Sequence, residues 1–260
     1  MTQTIGFIGS GMISGQVARL AIGAGLNVIL SNSRGPETLA DLVAELGERA
    51  RAATPAEAAR EADLVVASIP FVAYRKLPAE ALSGRIVIDT MNYYPERDGD
   101  MPEVNTDTIA TSQLVQRHLA HSHVVRALNN MDWVRLFKRA RPAGAPDRSA
   151  LPIAGDNADA KAIVARFLDA IGYDAVDMGP LAESWRSEPT MPVYVMPYIG
   201  EIPADLTPET ERSWFLQAPG VAVSADLVRT LVARAVRHDR MFGSTASLAG
   251  ASLQPARSPS

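Results

Sequence analysis

The sequence predicts an α/β protein with a doubly wound, mainly parallel sheet, followed by a small irregular and helical C-terminal region. Short β-branched runs alternate with longer helical patterns through the first half of the chain, as a parallel sheet with crossover helices requires. A glycine-rich turn joins the first strand to the first helix, which is typical of a Rossmann-type fold. Hydrophobic residues make up 47% and charged residues 21% of the 260 residues, a globular composition rather than a disordered one.

Seven strands are predicted from short apolar runs rich in β-branched residues. They are Thr4–Ile8, Asn27–Ser31, Leu64–Ser68, Ile86–Asp89, Val124–Leu128, Leu151–Ala154 and Ala175–Met178. Helices are predicted over Gly15–Ala24, Ala158–Ile171 and Ala225–His238. Another helix opens at Pro36, where the missing N–H costs nothing, and closes at Gly47. Thr54 and Glu57 have the spacing of a capping box, which starts a further helix.

The turn after the first strand reads Gly9-Ser10-Gly11-Met12-Ile13-Ser14-Gly15. In this pattern Gly9 permits the tight turn, Gly11 lets the backbone approach a pyrophosphate, and the helix N-terminus presents free N–H groups to it. Glycine patterns also arise as simple turns, but here the strand, the helix and the position near the start of the chain agree. We therefore predict that the loop binds a dinucleotide. The predicted binding residues are Gly9, Ser10, Gly11, Met12 and Ile13.

The end of the second strand indicates which dinucleotide this is. An NAD site carries Asp or Glu about 20 residues after the loop, where the carboxylate binds the ribose 2′-hydroxyl. This sequence instead has Ser31, Asn32, Ser33 and Arg34. Hydroxyl, amide and guanidinium groups suit a 2′-phosphate, which a carboxylate would repel. NADP(H) is therefore predicted in preference to NAD(H).

Residues that follow the later strands complete the predicted cofactor site, because ligands of open parallel sheets lie at the carboxyl ends of the strands. They are Ser68, Ile69, Pro70, Asn92, Ala127 and Asn129. The side chains of Asn92, Asn129 and Asn130 suit the nicotinamide carboxamide or a second ligand. Asparagine at a strand end is also ordinary turn chemistry, and for any one of the three this explanation is about as good.

Several classes of site and partner are not expected. His118, His121 and His123 precede a strand and so lie at its amino end, away from the predicted site, and we predict no metal site. The chain has no cysteine, which excludes disulfides and thiolate ligands. A net charge of −4 without a basic cluster argues against nucleic acid as a partner. No apolar run is long enough to cross a bilayer, so we expect a cytoplasmic protein without a membrane partner.

With these residues in place, the chain resembles the family of NADPH-dependent coenzyme F-420 reductases, which pass a hydride between NADP(H) and a deazaflavin. The resemblance covers about Thr4 to Glu183. It is carried by Gly9–Gly15, Ser33-Arg34, Ile69-Pro70, Leu151–Asp156 and Asp177–Leu181. It implies NADP(H) as cofactor, coenzyme F-420 or a flavin as second substrate, and a homodimer. In related modules of membrane-bound metalloreductases, a flavin takes the place of the deazaflavin.

The chain is accordingly divided into three predicted parts. Residues 1–181 form the NADP-binding Rossmann-type domain, residues 182–243 a small C-terminal cap and dimerisation region, and residues 244–260 a mobile tail. Beyond residue 184 the resemblance fades, which leaves the second substrate open.

No catalytic residue is predicted, because transfer between two cofactors mainly requires that their rings be held in contact. Two alternatives stay open. One is an NADPH-dependent reductase of a small ketone, imine or hydroxy acid, in which Tyr74, Lys76 or Tyr93 would have to donate the proton. The other is a non-catalytic sensor that binds NADP(H).

Overall fold

The computed structural model of the protein describes residues 3–104 and 109–237, and within them one sheet of eight strands. The strands are β1 (Thr4–Ile8), β2 (Asn27–Ser31), β3 (Ala50–Ala52), β4 (Leu64–Ala67), β5 (Ile86–Asp89), β6 (His123–Arg126), β7 (Ala150–Gly155) and β8 (Asp174–Asp177). The α-helices are α1 (Met12–Gly23), α2 (Ala40–Leu46), α3 (Pro55–Glu61), α4 (Pro95–Asp98), α5 (Thr111–His118), α6 (Trp133–Lys138), α7 (Ala158–Ala170), α8 (Met196–Ile199), α9 (Pro208–Gln217) and α10 (Ala225–Ala233). Short 3₁₀ helices cover Pro36–Leu39, Phe71–Lys76 and Leu181–Ser187.

The strand order is β3-β2-β1-β4-β5-β6-β7-β8, and every neighbouring pair is parallel except β6 and β7. The predicted fold class is therefore confirmed. The order reverses beside β1, where β2 lies on one side and β4 on the other. In doubly wound sheets the ligand crevice opens at this reversal, outside the carboxyl ends of the strands.

Local signals placed most elements correctly. Strands β1, β2 and β5 have the predicted bounds, and the capping box of α3 is present, with the Thr54 hydroxyl accepting from the Glu57 N–H at 3.3 Å. Strand β6 ends two residues earlier than predicted. Its apolar pattern continues, but Leu128 adopts a φ of 60°, which ends the extended conformation. Strand β3 was not predicted, because three residues are too few to show a period.

Apolar clusters cover both faces of the sheet. On one face, Phe7 and Val125 pack with residues of α1 and α7, and on the other Val65 and Val87 pack with residues of α5. Tyr198 and the C-terminal residues around it belong to the first cluster. The region from residue 182 onward thus packs on the sheet, and its predicted role as a cap and dimerisation region stays a prediction.

The predicted tail over residues 244–260 and the end of the predicted last helix lie outside the described residues. Within the described ranges, no helix is long and apolar enough to cross a bilayer.

Candidate cofactor and acceptor site

Gly9 brings the end of β1 against the end of β4. Its φ is +103°, and a Cβ added there would lie 2.1 Å from the carbonyl oxygen of Ser68. Its N–H donates to the carbonyl of Ser31 at 3.0 Å. Only glycine combines this backbone conformation with so close an approach. The turn therefore fixes the ends of three strands around the mouth of the crevice.

Gly11 has a different role, because it leaves open space in front of the N-terminus of α1. It is the N-cap of α1 in an extended conformation, no side chain caps the helix, and a Cβ added to Gly11 would meet nothing within 4 Å. The N–H groups of the first helical turn have no intrahelical partner by the geometry of any helix. The positive end of the helix dipole thus faces the crevice without an obstructing side chain, as binding of a pyrophosphate requires.

A cleft of about 1000 Å³ runs from this helix terminus across the carboxyl ends of β4, β5 and β6. Nine of the predicted site residues line it: Ser10, Gly11, Met12, Ile13, Ser68, Ile69, Pro70, Asn92 and Asn129. The cleft is also lined by residues that were not predicted to belong to the site, among them Tyr94, Arg97, Asp132, Trp133 and Tyr194.

The loop after β2 lies beside the cleft, since Asn32 Nδ2 is 3.4 Å from Ser10 Oγ. Ser31 is fully buried and donates to the carbonyl of Phe7 at 2.6 Å, so it has no surface for a ligand. The Asn32 side-chain oxygen accepts from the N–H groups of Arg34 and Gly35 at 2.9 and 3.0 Å. These bonds hold the loop in one conformation.

That conformation leaves Ser33 and Arg34 exposed. None of the described residues pairs with the Arg34 guanidinium. The loop also contains a carboxylate that was not part of the prediction, that of Glu37. It lies against Gly35, where an added Cβ would be 2.2 Å from Glu37 Oε1. The loop therefore presents a free guanidinium together with a neighbouring acid.

Asn92 is held by a buried ion pair. Arg126 and Asp89 are both fully buried, with Nη1 and Oδ2 at 3.2 Å. Arg126 Nη2 donates to Asn92 Oδ1 at 2.8 Å, and Asn92 Nδ2 donates to the Asn129 carbonyl at 2.8 Å. Because arginine only donates, this contact fixes which end of the Asn92 amide faces which neighbour. Sequence patterns gave no sign of the pair, since Arg126 and Asp89 lie inside predicted strands.

The other predicted residues of this region serve mainly to attach the C-terminal region to the sheet. Asn129 Nδ2 donates to the Ser187 carbonyl at 2.6 Å. Asn130 Nδ2 donates to the Val193 carbonyl at 3.1 Å and lies away from the cleft. Ala127 is fully buried in the core and has no surface in the cleft.

Two tyrosine hydroxyls meet at the wall of the cleft, those of Tyr94 and Tyr194. Burial raises the pKa of Tyr94, and it raises the pKa of Tyr194 well above its ordinary value, so both hydroxyls are protonated at neutral pH. The Arg97 guanidinium lies 4.9 Å from the centre of the Tyr94 ring and donates to the Asn92 carbonyl at 2.6 Å.

Tyr93, the residue before Tyr94, was one of the three candidate proton donors. Tyr93 points into the core and donates to the Gly99 carbonyl at 2.7 Å, because successive side chains of an extended segment face opposite sides. Tyr74 stacks on Phe71 with ring centres 5.2 Å apart, and neither it nor the exposed Lys76 lines the cleft. None of the three proposed proton donors therefore reaches the site.

The opposite wall of the cleft is formed by the start of α6. The side chain of Asp132 caps this helix, accepting from the N–H groups of Val134 and Arg135 at 3.0 and 3.1 Å, and burial raises its pKa. Trp133 follows and presents a half-buried indole ring, which packs against Phe215 with ring centres 6.5 Å apart. Trp133 thus adds an aromatic residue to the lining of the cleft.

The three histidines His118, His121 and His123 do not line the cleft. His118 Nε2 is 3.0 Å from the carbonyl oxygen of Leu77, and His123 begins β6 at its amino end. Among the described residues no group of three His, Cys, Asp or Glu side chains is arranged to hold a metal ion.

Comparison with known families gives a match over the part of the chain that contains the glycine turn. Residues 4–93 match the model of a family described as NADP oxidoreductase, coenzyme F420-dependent. The predicted family is confirmed for this segment. It contains the Gly9 turn, Arg34 and Asn92, and it ends one residue before Tyr94. The acceptor side of the cleft, with Tyr94, Trp133 and Tyr194, therefore lies outside the match.

Solved structures give the same fold over most of the chain. A hypothetical protein from Sinorhizobium meliloti superposes with a TM-score of 0.66 at 24% identity, covering 75% of this chain and 94% of that one. A protein provisionally named an F420-dependent NADP-reductase, from Arthrobacter sp. FB24, gives 0.59 at 25% identity, covering 70% and 86%. Pyrroline-5-carboxylate reductase of Coxiella burnetii gives 0.52 at 18% identity, covering 72% and 64%. No curated protein matches this chain significantly.

Proposed function

We propose that this protein is an oxidoreductase that transfers a hydride between NADP(H) and a second ligand bound at the tyrosine side of the cleft. The observation that carries the proposal is the pairing of an open helix terminus at Gly11 with the free guanidinium of Arg34 at the end of β2. The first suits a pyrophosphate and the second a 2′-phosphate. The matched family is an NADP-dependent one, which supports the same cofactor.

The leading acceptor is a deazaflavin such as coenzyme F-420, or a flavin. The cleft of about 1000 Å³ lies at the upper end of the usual range for small-molecule sites, roughly 300–1,000 Å³, and it extends past the strand ends to the Trp133 ring. A flat ring held against this wall would meet the nicotinamide at the carboxyl ends of β5 and β6. The family description and the Arthrobacter protein support this acceptor class.

One observation favours a second candidate, an NADPH-dependent reductase of a small ketone, imine or hydroxy acid. Reduction of a C=O or C=N bond needs a proton donor beside the heteroatom. The three donors considered from the sequence do not line the cleft, but the Tyr94 and Tyr194 hydroxyls do. These two hydroxyls are the reason to test ketones and imines together with the deazaflavin.

A homodimer and a cytoplasmic location remain part of the proposal. In the apolar stretch over residues 191–202, Met196 and Ile202 keep 45% and 36% of their surface exposed, as residues that pack against a second copy would. Light scattering at micromolar concentration should give a dimer mass. A monomer mass would remove this part of the proposal without affecting the cofactor site.

A single panel separates the two acceptor classes. The purified protein is mixed with NADPH and, in parallel, with coenzyme F-420, FMN, FAD, cyclohexanone and 1-pyrroline, while absorbance is followed at the NADPH and deazaflavin bands. Reduction of F-420 or a flavin supports the leading acceptor, and reduction of the imine or ketone alone supports the second. If calorimetry shows no binding of NADPH, the proposed function is wrong.

A further inference from the structure

We propose that Tyr94 donates the proton that completes reduction of the acceptor, and that Tyr194 and Asn92 orient its hydroxyl toward the cleft. This inference rests on the proposed function and adds a catalytic residue to it. It is carried by the directions of the hydrogen bonds that lead from the buried ion pair of β5 and β6 to the two tyrosines.

The hydrogen bonds from Arg126 through Asn92 to Tyr194 each have a defined donor and acceptor. Arg126 Nη2 can only donate, so Asn92 Oδ1, 2.8 Å away, must accept and Asn92 Nδ2 must face the tyrosines. Asn92 Nδ2 lies 3.4 Å from the Tyr194 hydroxyl oxygen, to which it can only donate. The Tyr194 oxygen thus accepts a hydrogen bond from Asn92, and its own O–H can donate to another acceptor.

The acceptor within reach of Tyr194 is the hydroxyl oxygen of Tyr94, in direct hydrogen-bond contact. Once Tyr194 donates to it, the O–H of Tyr94 has no acceptor among the described residues. Tyr94 lines the cleft, so this proton is available to a bound ligand. Two hydroxyl protons are available for one mutual hydrogen bond, so one proton is spare. The contact from Asn92 to the Tyr194 oxygen favours the arrangement in which Tyr194 donates and the spare proton is that of Tyr94.

Two contacts partly offset the effect of burial on the Tyr94 anion that proton donation would leave. The Tyr194 O–H would hydrogen-bond to the phenolate oxygen, and the Arg97 guanidinium lies over the ring, 4.9 Å from its centre. Both contacts lower the pKa of Tyr94 against the effect of burial, whereas the contact with Tyr94 raises that of Tyr194. Of the two hydroxyls in contact, only that of Tyr94 also has a guanidinium over its ring, and we assign it as the donor.

The step balances as a two-electron reduction. A hydride leaves the dihydronicotinamide of NADPH, which becomes NADP⁺, and bonds to the electrophilic atom of the acceptor. The π electron pair of the acceptor moves to its heteroatom, which takes the proton of the Tyr94 hydroxyl. The tyrosinate is then reprotonated by water entering the cleft. The net reaction converts NADPH, the acceptor and one proton into NADP⁺ and the reduced acceptor.

The test compares Tyr94→Phe, Tyr194→Phe and the matched control Tyr93→Phe, using whichever of F-420, FMN and 1-pyrroline the wild type reduces. We expect Tyr94→Phe to lower kcat about 10²–10⁴-fold with NADPH affinity unchanged, since loss of a proton donor has this effect. Tyr194→Phe should cost about tenfold, because the donor remains but its anion loses a hydrogen bond. Tyr93→Phe should keep the wild-type kcat, although its bond to Gly99 is lost.

Chemical rescue distinguishes a proton donor from a structural residue. The rate of Tyr94→Phe should rise with imidazole concentration at constant pH and ionic strength, and the rate of the wild type should not. A Tyr94→Phe enzyme within threefold of wild type, or one that imidazole does not rescue, would overturn the inference while leaving the proposed function standing. A wild type that binds NADPH and reduces none of the three acceptors would overturn both.

Discussion

The two glycines of the first turn can be separated by mutation, because one is required by the fold and the other by the ligand. At Gly9 an added Cβ would lie 2.1 Å from the Ser68 carbonyl oxygen, at a φ of +103°. The backbone conformation alone costs an L-residue roughly 1–2 kcal/mol, and the clash between two backbone segments adds to this. Gly9→Ala should therefore lower the free energy of unfolding by more than about 2 kcal/mol.

At Gly11 a larger side chain has room. Its φ is −75° and its ψ −170°, an extended conformation that any residue adopts, and no atom lies within 4 Å of an added Cβ. Replacing Gly by Val at this N-cap should change the free energy of unfolding by less than about 1 kcal/mol. The new side chain would, however, stand where the pyrophosphate approaches the helix. We expect NADPH affinity to fall at least about 100-fold, or about 2.7 kcal/mol.

The assay is calorimetric titration with NADPH together with thermal unfolding of Gly11→Val, Gly9→Ala and the wild type. Gly11→Val should unfold within about 4 °C of the wild type, since 1 kcal/mol shifts the midpoint of a chain of this size by roughly 2–4 °C. If Gly11→Val binds NADPH within threefold of the wild type, the turn is not a pyrophosphate site and the cofactor assignment fails. A midpoint shift as large as that of Gly9→Ala would refute the assignment of separate roles.

Three further predictions follow from the loop after β2 and from the buried tyrosines. Arg34→Ala should weaken NADPH binding at least tenfold and leave NADH binding nearly unchanged, since a charge-assisted hydrogen bond contributes about 1.5–3 kcal/mol, and Arg60→Ala on α3 is the matched control. Glu37→Gln should strengthen NADPH binding, because the neutral amide no longer repels the 2′-phosphate; an unchanged Kd would show that Glu37 lies too far away. Stability should fall as the pH rises above about 10, because burial raises the pKa of Tyr173 and of Tyr198, so that the unfolded chain releases these protons first; their contribution is fully present below that pH. Urea unfolding at pH 8, 10 and 11 checks this, and equal stabilities at the three pH values would contradict it.

The glycine turn and the loop after β2, which form the proposed cofactor half of the site, could be placed from the sequence because their determinants are local. The glycine turn, the helix that follows it and the loop after β2 lie within the first 35 residues, and each has a spacing set by the backbone geometry of a single strand, turn or helix. Periodicity then placed the parallel strands, which fixed the edge of the sheet at which these residues meet. The Gly9, Gly11 and Arg34 positions needed no knowledge of distant contacts.

The acceptor half could not be predicted, because it is assembled from distant parts of the chain. Tyr94 and Tyr194 are 100 residues apart, and only the docking of the C-terminal region brings their hydroxyls together. Asn129 lines the cleft, as expected from its place after a strand, but its hydrogen bond to the Ser187 carbonyl in the C-terminal region has no local signal. Which of two adjacent tyrosines faces the cleft depends on the register of an irregular segment, and no local signal marks that register.

The two halves of the cleft, one local in sequence and one assembled from distant residues, should respond differently when the C-terminal region is destabilised. The Gly9 turn is fixed by strand pairing deep in the sheet, whereas the acceptor side depends on amide hydrogen bonds from Asn129 and Asn130 to the C-terminal region. Local opening of that region would separate Tyr194 from Tyr94 and leave the Gly9 turn intact, since parts of a structure can open independently of one another. A change at this attachment should therefore act on hydride transfer before it acts on NADPH binding, so that affinity for the cofactor alone is a poor measure of an intact active site.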